Sequence, residues 1–235
     1  MAVILDINHE GGTTGEWGDV SNVGDMTVIE GAALGGTVYG LNVLVDDETQ
    51  DWVYSNFTKV ATCRFRFYVD PNTFTTTNNT GTTAIKYIQS GDTYTNICYI
   101  GLLYLTATGF RIQFSVYDDS KTSHYFLNYD ITDEPHYVEV KIVRATDAGS
   151  SDGTCEIWVD GTSRGSHTGI DNYNLMFDPA SHRLMAGDLT PSAGIDGSYF
   201  LDEFILNDDG GEIGPLAGGG ATVITTTTVV TDDCV

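Results

Sequence analysis

Basic residues are the scarcest chemical resource of this sequence: 10 Lys and Arg stand against 33 Asp and Glu, a formal net charge of −23 over 235 residues. Phosphate backbones are bound by clustered cations, so this scattered handful excludes a nucleic-acid partner. Proline is rare as well, at 5 residues, yet helix-period apolar patterns are missing. No apolar run approaches the ~20 residues that a membrane-crossing helix needs, so no membrane insertion is expected. The start, Met1-Ala2-Val3-Ile4-Leu5-Asp6, carries neither the basic opening nor the apolar stretch of a secretory leader. The 4 cysteines, Cys63, Cys98, Cys155 and Cys234, form no CxxC pair, which excludes a zinc ribbon or a thioredoxin-like motif. Cys63 and Cys155 alternate with Phe65/Phe67 and Ile157/Val159, so buried free thiols are expected there. No GxSxG, HExxH or P-loop pattern occurs.

What is present is β-forming. Runs of Thr, Val, Ile, Tyr and Phe recur between Gly/Asp/Asn/Ser clusters, and 41% hydrophobic content suffices for a core. Residues 3–8 predict a first strand, followed by a Gly-rich loop, Gly11 to Gly18. Residues 27–30 and 39–45 predict a hairpin-like pair. Between Lys59 and Val69, the residues Ala61, Cys63, Phe65, Phe67 and Val69 fall on one face, with Thr62, Arg64, Arg66 and Tyr68 on the other. Further strands are expected at 84–89, 96–105, 110–117 and 125–131. Segment 96–105 is apolar on both faces and so belongs in a sheet interior or beneath a loop. About a dozen short strands are best accommodated as two packed antiparallel sheets.

The stretch from Ile131 to Leu206 is the most specific. It holds Pro135-His136-Tyr137-Val138, the hairpin Ile157-Trp158-Val159-Asp160-Gly161, and a closing run from Gly197 to Phe204. These elements resemble the C-terminal half of laminin-G-like jelly rolls of the concanavalin A superfamily. The resemblance implies an all-β, two-sheet antiparallel β-sandwich over residues 1–213, with His136 in a structural role at a strand start. It further implies a non-catalytic domain used for display and adhesion. Hydrolases of that superfamily carry E-x-D-x-E on one strand face, and this chain lacks it. Glu139 has no acidic neighbour at i+2 or i+4, Glu156 and Asp160 are four apart but Asp160 belongs to the hairpin turn and no central acid stands between them, and Asp202 and Glu203 are adjacent and so on opposite faces. No enzyme activity is therefore expected.

Relatives by the same resemblance often hold a structural Ca²⁺ between the terminal strands, which nominates Asp6, Glu10 and Asp202 as ligands. Stacking platforms for a glycan are sought in Trp158, which should point away from the core, and in Trp52, Tyr117 and Tyr125. After a Gly-rich linker at 214–220, residues 221–235 form a β-prone, Thr/Val-rich tail containing Val223, Ile224, Val229 and Val230. Such a strand needs a partner edge, either its own sandwich or a neighbouring subunit by β-augmentation. Exterior character without an export address leads to the expectation of a virion-surface or extracellular protein. The form expected is a phage capsid decoration, head fibre or tail-associated module that docks on shell subunits, with weak polysaccharide binding. The rivals are a carbohydrate-binding module of a secreted protein and, more remotely, a glucanase-like hydrolase.

Overall fold

A computed structural model describes residues 2–21, 24–76, 82–90, 95–105, 108–177, 181–189 and 194–216. The tail positions Val223, Ile224, Val229 and Val230, together with Cys234, lie outside these residues. In chain order the strands are β1 (Val3–Ile7), β2 (Asp19–Val20), β3 (Met26–Ile29), β4 (Gly40–Val45), β5 (Val53–Thr58), β6 (Thr62–Asp70), β7 (Thr75–Thr76) and β8 (Thr82–Ser90). They continue as β9 (Asn96–Leu105), β10 (Gly109–Tyr117), β11 (Ser123–Ile131), β12 (His136–Val143), β13 (Gly153–Val159), β14 (Thr162–Ile170), β15 (Ser181–Ala186) and β16 (Ile195–Asn207). One short helix, α1 (Tyr173–Phe177), precedes β15.

Two antiparallel sheets face each other, as the strand spacing predicts. The first runs β14-β13-β12-β6-β16-β4-β3, with β1 and β7 also paired to β16. The second runs β11-β10-β9-β8-β15-β5-β2. First and last strands do lie side by side, Asp6 opposite Ile205. The core fills with the inward alternates: Cys63, Phe65, Phe67 and Val69 from β6, Val138, Val140 and Ile142 from β12, and Ile112, Phe114 and Val116 from β10. Strand β9 lies inside its sheet between β8 and β10, as its two-faced apolarity requires. Cys63, Cys98 and Cys155 are buried free thiols, and burial pushes the Cys155 thiol up to about 12.

Two local devices fix the register. The hairpin β13–β14 turns at Asp160 and Gly161, with φ of 51° and 73°. Positive φ at both central residues is the turn that matches strand twist, and Asp-Gly tolerates it. The Asp160 carboxylate also accepts from the Tyr137 N–H at 3.1 Å and bonds His136 Nδ1 at 2.6 Å, confirming His136 as a structural residue. In β16 the pairing with β6 shifts between Asp202 and Ile205, and Glu203 has a φ of 54°. This bulge moves the side-chain alternation by one residue. Tyr199 and Leu201 are buried before it, and Phe204 and Leu206 after it.

Candidate functional site

The two outer faces of the sandwich are treated differently by the chain. On the nine-stranded sheet, β6 and β12 present Arg64, Arg66, Tyr68 and Glu139 outward, yet all four are buried. Residues 208–216 lie across them. Glu139 accepts the N–H groups of Ile213 and Gly214, each at 3.0 Å, and pairs with Arg64. Arg64 also donates to the Gly210 carbonyl at 3.1 Å, Arg66 to that of Gly214 at 3.3 Å, and the Leu216 N–H to the Tyr68 hydroxyl at 3.0 Å. The strap thus satisfies charges that would otherwise be stranded, and it occupies this part of the face. Trp158 points outward, as its alternation with Ile157 and Val159 predicts, and lies under the Arg64 guanidinium at 4.5 Å.

Beneath the strap, Arg66 pairs with Glu203 at 3.0 Å. Burial pushes the Glu203 carboxyl up to about 7, against the pull of Arg66, with Asp202 and Asp6 adding to the rise. The folded chain therefore holds this proton more tightly than the unfolded chain does. The stabilisation is full below the ordinary value of 4.5 and is lost as pH rises through about 7. Glu203→Gln, which keeps an oxygen for Arg66 without the charge, is expected to flatten the melting temperature across that window. Thermal melts of both proteins from pH 4 to 8 check this; parallel curves would show that Glu203 titrates as an ordinary carboxyl.

The seven-stranded sheet offers an outer face on which aromatic and polar side chains cluster. β5 and β15 set Tyr54 directly opposite Met185, and Tyr99 of β9 packs in the same cluster. Beside it runs a row of Asn56, Arg183, Gln89 and Asn96. The Arg183 guanidinium lies 3.9 Å over the Tyr54 ring, and Trp52 meets Tyr54 at 5.1 Å between centroids. Met185 and Leu189 pack with Trp52, Tyr54 and Tyr99 into a small apolar cluster apart from the main core. Gln89 donates to Asn96 at 2.9 Å. Burial pushes the Tyr99 phenol up to about 12, with Tyr117 nearby raising it further. From β5 to β10 this surface crosses four strand gaps, about 19 Å, long enough for several linked sugar rings.

The sequence-nominated residues scatter. Trp52 and Tyr117 belong to this face, and Tyr125 lies in the edge strand β11 opposite Val116, while Trp158 is on the other sheet. Arg183, Tyr54, Tyr99 and Gln89 were not nominated. Asp202 is fully buried and accepts from His9 Nδ1 at 2.9 Å, the Leu34 N–H at 3.0 Å, the Thr37 hydroxyl at 2.6 Å and the Glu203 N–H at 2.8 Å. Glu10 instead accepts the N–H groups of Val38 and Tyr39, and Asp6 is exposed on β1. Among the described residues, no group of three or more His, Cys, Asp or Glu is placed to hold a metal ion.

No family model matches the sequence, and no curated protein matches it. Solved structures do. An endo-β-1,4-glucuronan lyase from the fungus Trichoderma reesei is 11% identical with a TM-score of 0.57, covering 88% of this chain and 95% of its own. The alginate lyase Aly36B in complex with an alginate trisaccharide is 15% identical with a TM-score of 0.60, covering 88% and 98%. Domain 4 of the extracellular arabinanase AbnA from Geobacillus stearothermophilus, in complex with arabinotriose, is 13% identical with a TM-score of 0.51, covering 88% and 92%. These likenesses overturn the expectation of a non-catalytic phage-particle module. The sequence screen tested for paired carboxylates, whereas the matching structures are led by lyases, so the missing pair does not mark a structural protein. At such identities it is the architecture that is shared: the chain is a two-sheet antiparallel β-sandwich jelly roll.

Proposed function

We infer that this chain is a polysaccharide-active protein whose substrate lies across the outer face of the seven-stranded sheet, and that its chemistry is lyase-type elimination on a uronate-bearing glycan. The observation that carries this reading is Arg183 stacked on Tyr54 beside the Trp52–Met185–Tyr99 cluster. Aromatic rings give sugar rings an apolar platform, and a guanidinium held flat presents its fork to a carboxylate. In a chain with a net charge of −23, such a cation counters the repulsion of an anionic polymer at the point of contact.

The chemistry follows from those groups. Elimination next to a carboxylate begins with transfer of the proton on the adjacent carbon to a base, here a water molecule on this open face, and the resulting charge spreads onto the carboxylate. Arg183 stabilises that charge as it develops. The glycosidic oxygen leaves and needs a proton. Tyr99 keeps its proton across the neutral range, and its hydroxyl supplies that proton and is reprotonated by the water that took the first one. Elimination needs no second carboxylate, in contrast to hydrolysis by two carboxyl groups. The likeness to glucuronan and alginate lyases supports the substrate class.

The test is incubation with polyglucuronate and with alginate, following the ultraviolet absorbance of the unsaturated uronate product. Turnover of at least one polymer is expected. Arg183→Ala should lower kcat/KM about 10²–10³-fold, the usual loss when a charge-stabilising donor is removed. Tyr99→Phe should lower kcat about 10²-fold with little change in KM. Turnover undiminished in Arg183→Ala would remove this face from the reaction, and no product from either polymer would remove the reaction.

A further inference from the structure

The outer face of the other sheet holds a cavity that neither the strap nor the proposed reaction uses. It has a volume of about 290 Å³ and is lined by Lys141, Val143, Thr154, Cys155, Glu156, Ser166, His167 and Thr168 of β12, β13 and β14. Lys141 and Glu156 are directly opposed across the β12–β13 ladder. Opposite charges at such positions normally meet. Here they do not, because each side chain is drawn to another neighbour. The Lys141 stem leans toward the strap, where a Cβ added to Gly210 would stand 2.8 Å from Lys141 Cε and 3.2 Å from Nζ. The Glu156 carboxylate turns the other way, accepting the Ser163 hydroxyl at 2.7 Å. The cavity lies between an ammonium and a carboxylate thus held apart.

Its other walls are hydroxyl groups. Among the described residues, the Lys141 ammonium and the Thr154, Ser166 and Thr168 hydroxyls have no hydrogen-bond or ion-pair partner. His167 lies on the inward side of β14, opposite Cys155, and meets His124 of the other sheet at 4.7 Å between ring centroids. The lining therefore combines a donor-only group, an acceptor-only group and three groups that do either. A ligand that satisfies this set must itself present several groups that both donate and accept at close spacing. Vicinal hydroxyls do so. A fully anionic ligand would face Glu156, and a cationic one Lys141. The volume is at the low end of the roughly 300–1,000 Å³ of small-molecule sites, which admits one ring and not a chain.

We propose that this cavity is a second glycan subsite, taking a single pyranose unit whose neighbouring hydroxyls bridge Lys141 and Glu156. The proposal rests on the reading that the protein handles polysaccharide, but it concerns the opposite face from Arg183. Two separated contacts on one polymer raise the effective concentration of the chain at the reacting face without strengthening either contact.

The experiment is titration of the isotopically labelled protein with D-glucose, D-mannose and D-glucuronate, following backbone amide shifts. Saturable shifts are expected at Thr154, Ser166 and Gly210 for at least one of the three. Lys141→Met and Glu156→Gln should each weaken that binding at least tenfold, while the fold, checked by thermal melting, stays intact because both side chains are partly exposed. Thr154→Val, which removes one hydroxyl and keeps the shape, should weaken it less. Absence of a saturable shift at these amides with all three sugars would overturn the proposal. So would wild-type affinity in both charge variants. Failure of the lyase reading is seen separately, in Arg183→Ala and in the absorbance assay, and leaves the amide titration standing on its own.

Discussion

Asp202→Ala should cost about 3–5 kcal/mol of folding stability, because four hydrogen-bond donors lose their buried carboxylate acceptor. The aspartate is fully buried and ties two separate parts of the chain to the closing strand. His9 comes from the loop after β1, while Leu34 and Thr37 come from the segment before β4. Without the carboxylate, their donors and the Glu203 N–H are left in the interior, where each unpaired group costs about 1–3 kcal/mol. The Trp17 indole N–H donates to His9 Nε2 at 3.0 Å, so that nitrogen is the acceptor and the ring proton resides on Nδ1, facing Asp202. The change should therefore reach Trp17, which packs on Phe204 at 5.1 Å, and alter its fluorescence. At about 2–4 °C per kcal/mol for a chain of this size, the melting temperature should fall by roughly 10 °C. Asp202→Asn, which keeps one acceptor oxygen, should cost about half as much. A double-mutant cycle with His9→Ala should show a coupling of about 1–3 kcal/mol. Additive losses would mean that the two residues do not act as a unit.

The second large effect is expected at Glu139. One carboxylate accepts two strap N–H groups and pairs with Arg64, so Glu139→Ala leaves the guanidinium buried opposite a methyl group. The loss should be about 2–4 kcal/mol, limited by how readily residues 208–216 detach instead of staying strained. Detachment has its own signature. Amide protection at Ile213 and Gly214 should vanish in hydrogen exchange, while protection in β9 and β10 of the other sheet is kept. Glu139→Gln, which can still accept at one oxygen, should retain part of the protection. Unchanged protection at Ile213 and Gly214 in Glu139→Ala would show that the strap is held by its other contacts, the Arg66–Gly214 and Tyr68–Leu216 bonds among them.

Correct and missed expectations have the same physical origin. β6 and β10 were legible because one face of each is uniformly apolar and the other largely polar in the sequence, a period of two that holds in β6 although both of its faces are buried. β5 and β15 escaped notice because their inward residues include Ser55 and His182, both buried. Polar residues at inward positions blur the alternation. Those two strands carry Tyr54 and Arg183, so the candidate site was hidden with them. Trp158 was placed correctly on an outward face, but alternation says nothing of the Arg64 guanidinium and the strap that share that face.

The all-β class and the Asp160-Gly161 hairpin were determined by the sequence itself, through side-chain alternation and turn propensity, whereas the pairing of the terminal strands was only what the resemblance implied. Only the tertiary structure decided which outer face the strap of residues 208–216 covers. That outcome depends on residues more than a hundred positions apart, such as Tyr68 with Leu216 and Arg66 with Gly214, whose contact no local period records. It also decided that Asp202 is a buried clasp and that Arg183 lies flat on Tyr54, because burial and stacking are properties of strands brought together by the sheet order.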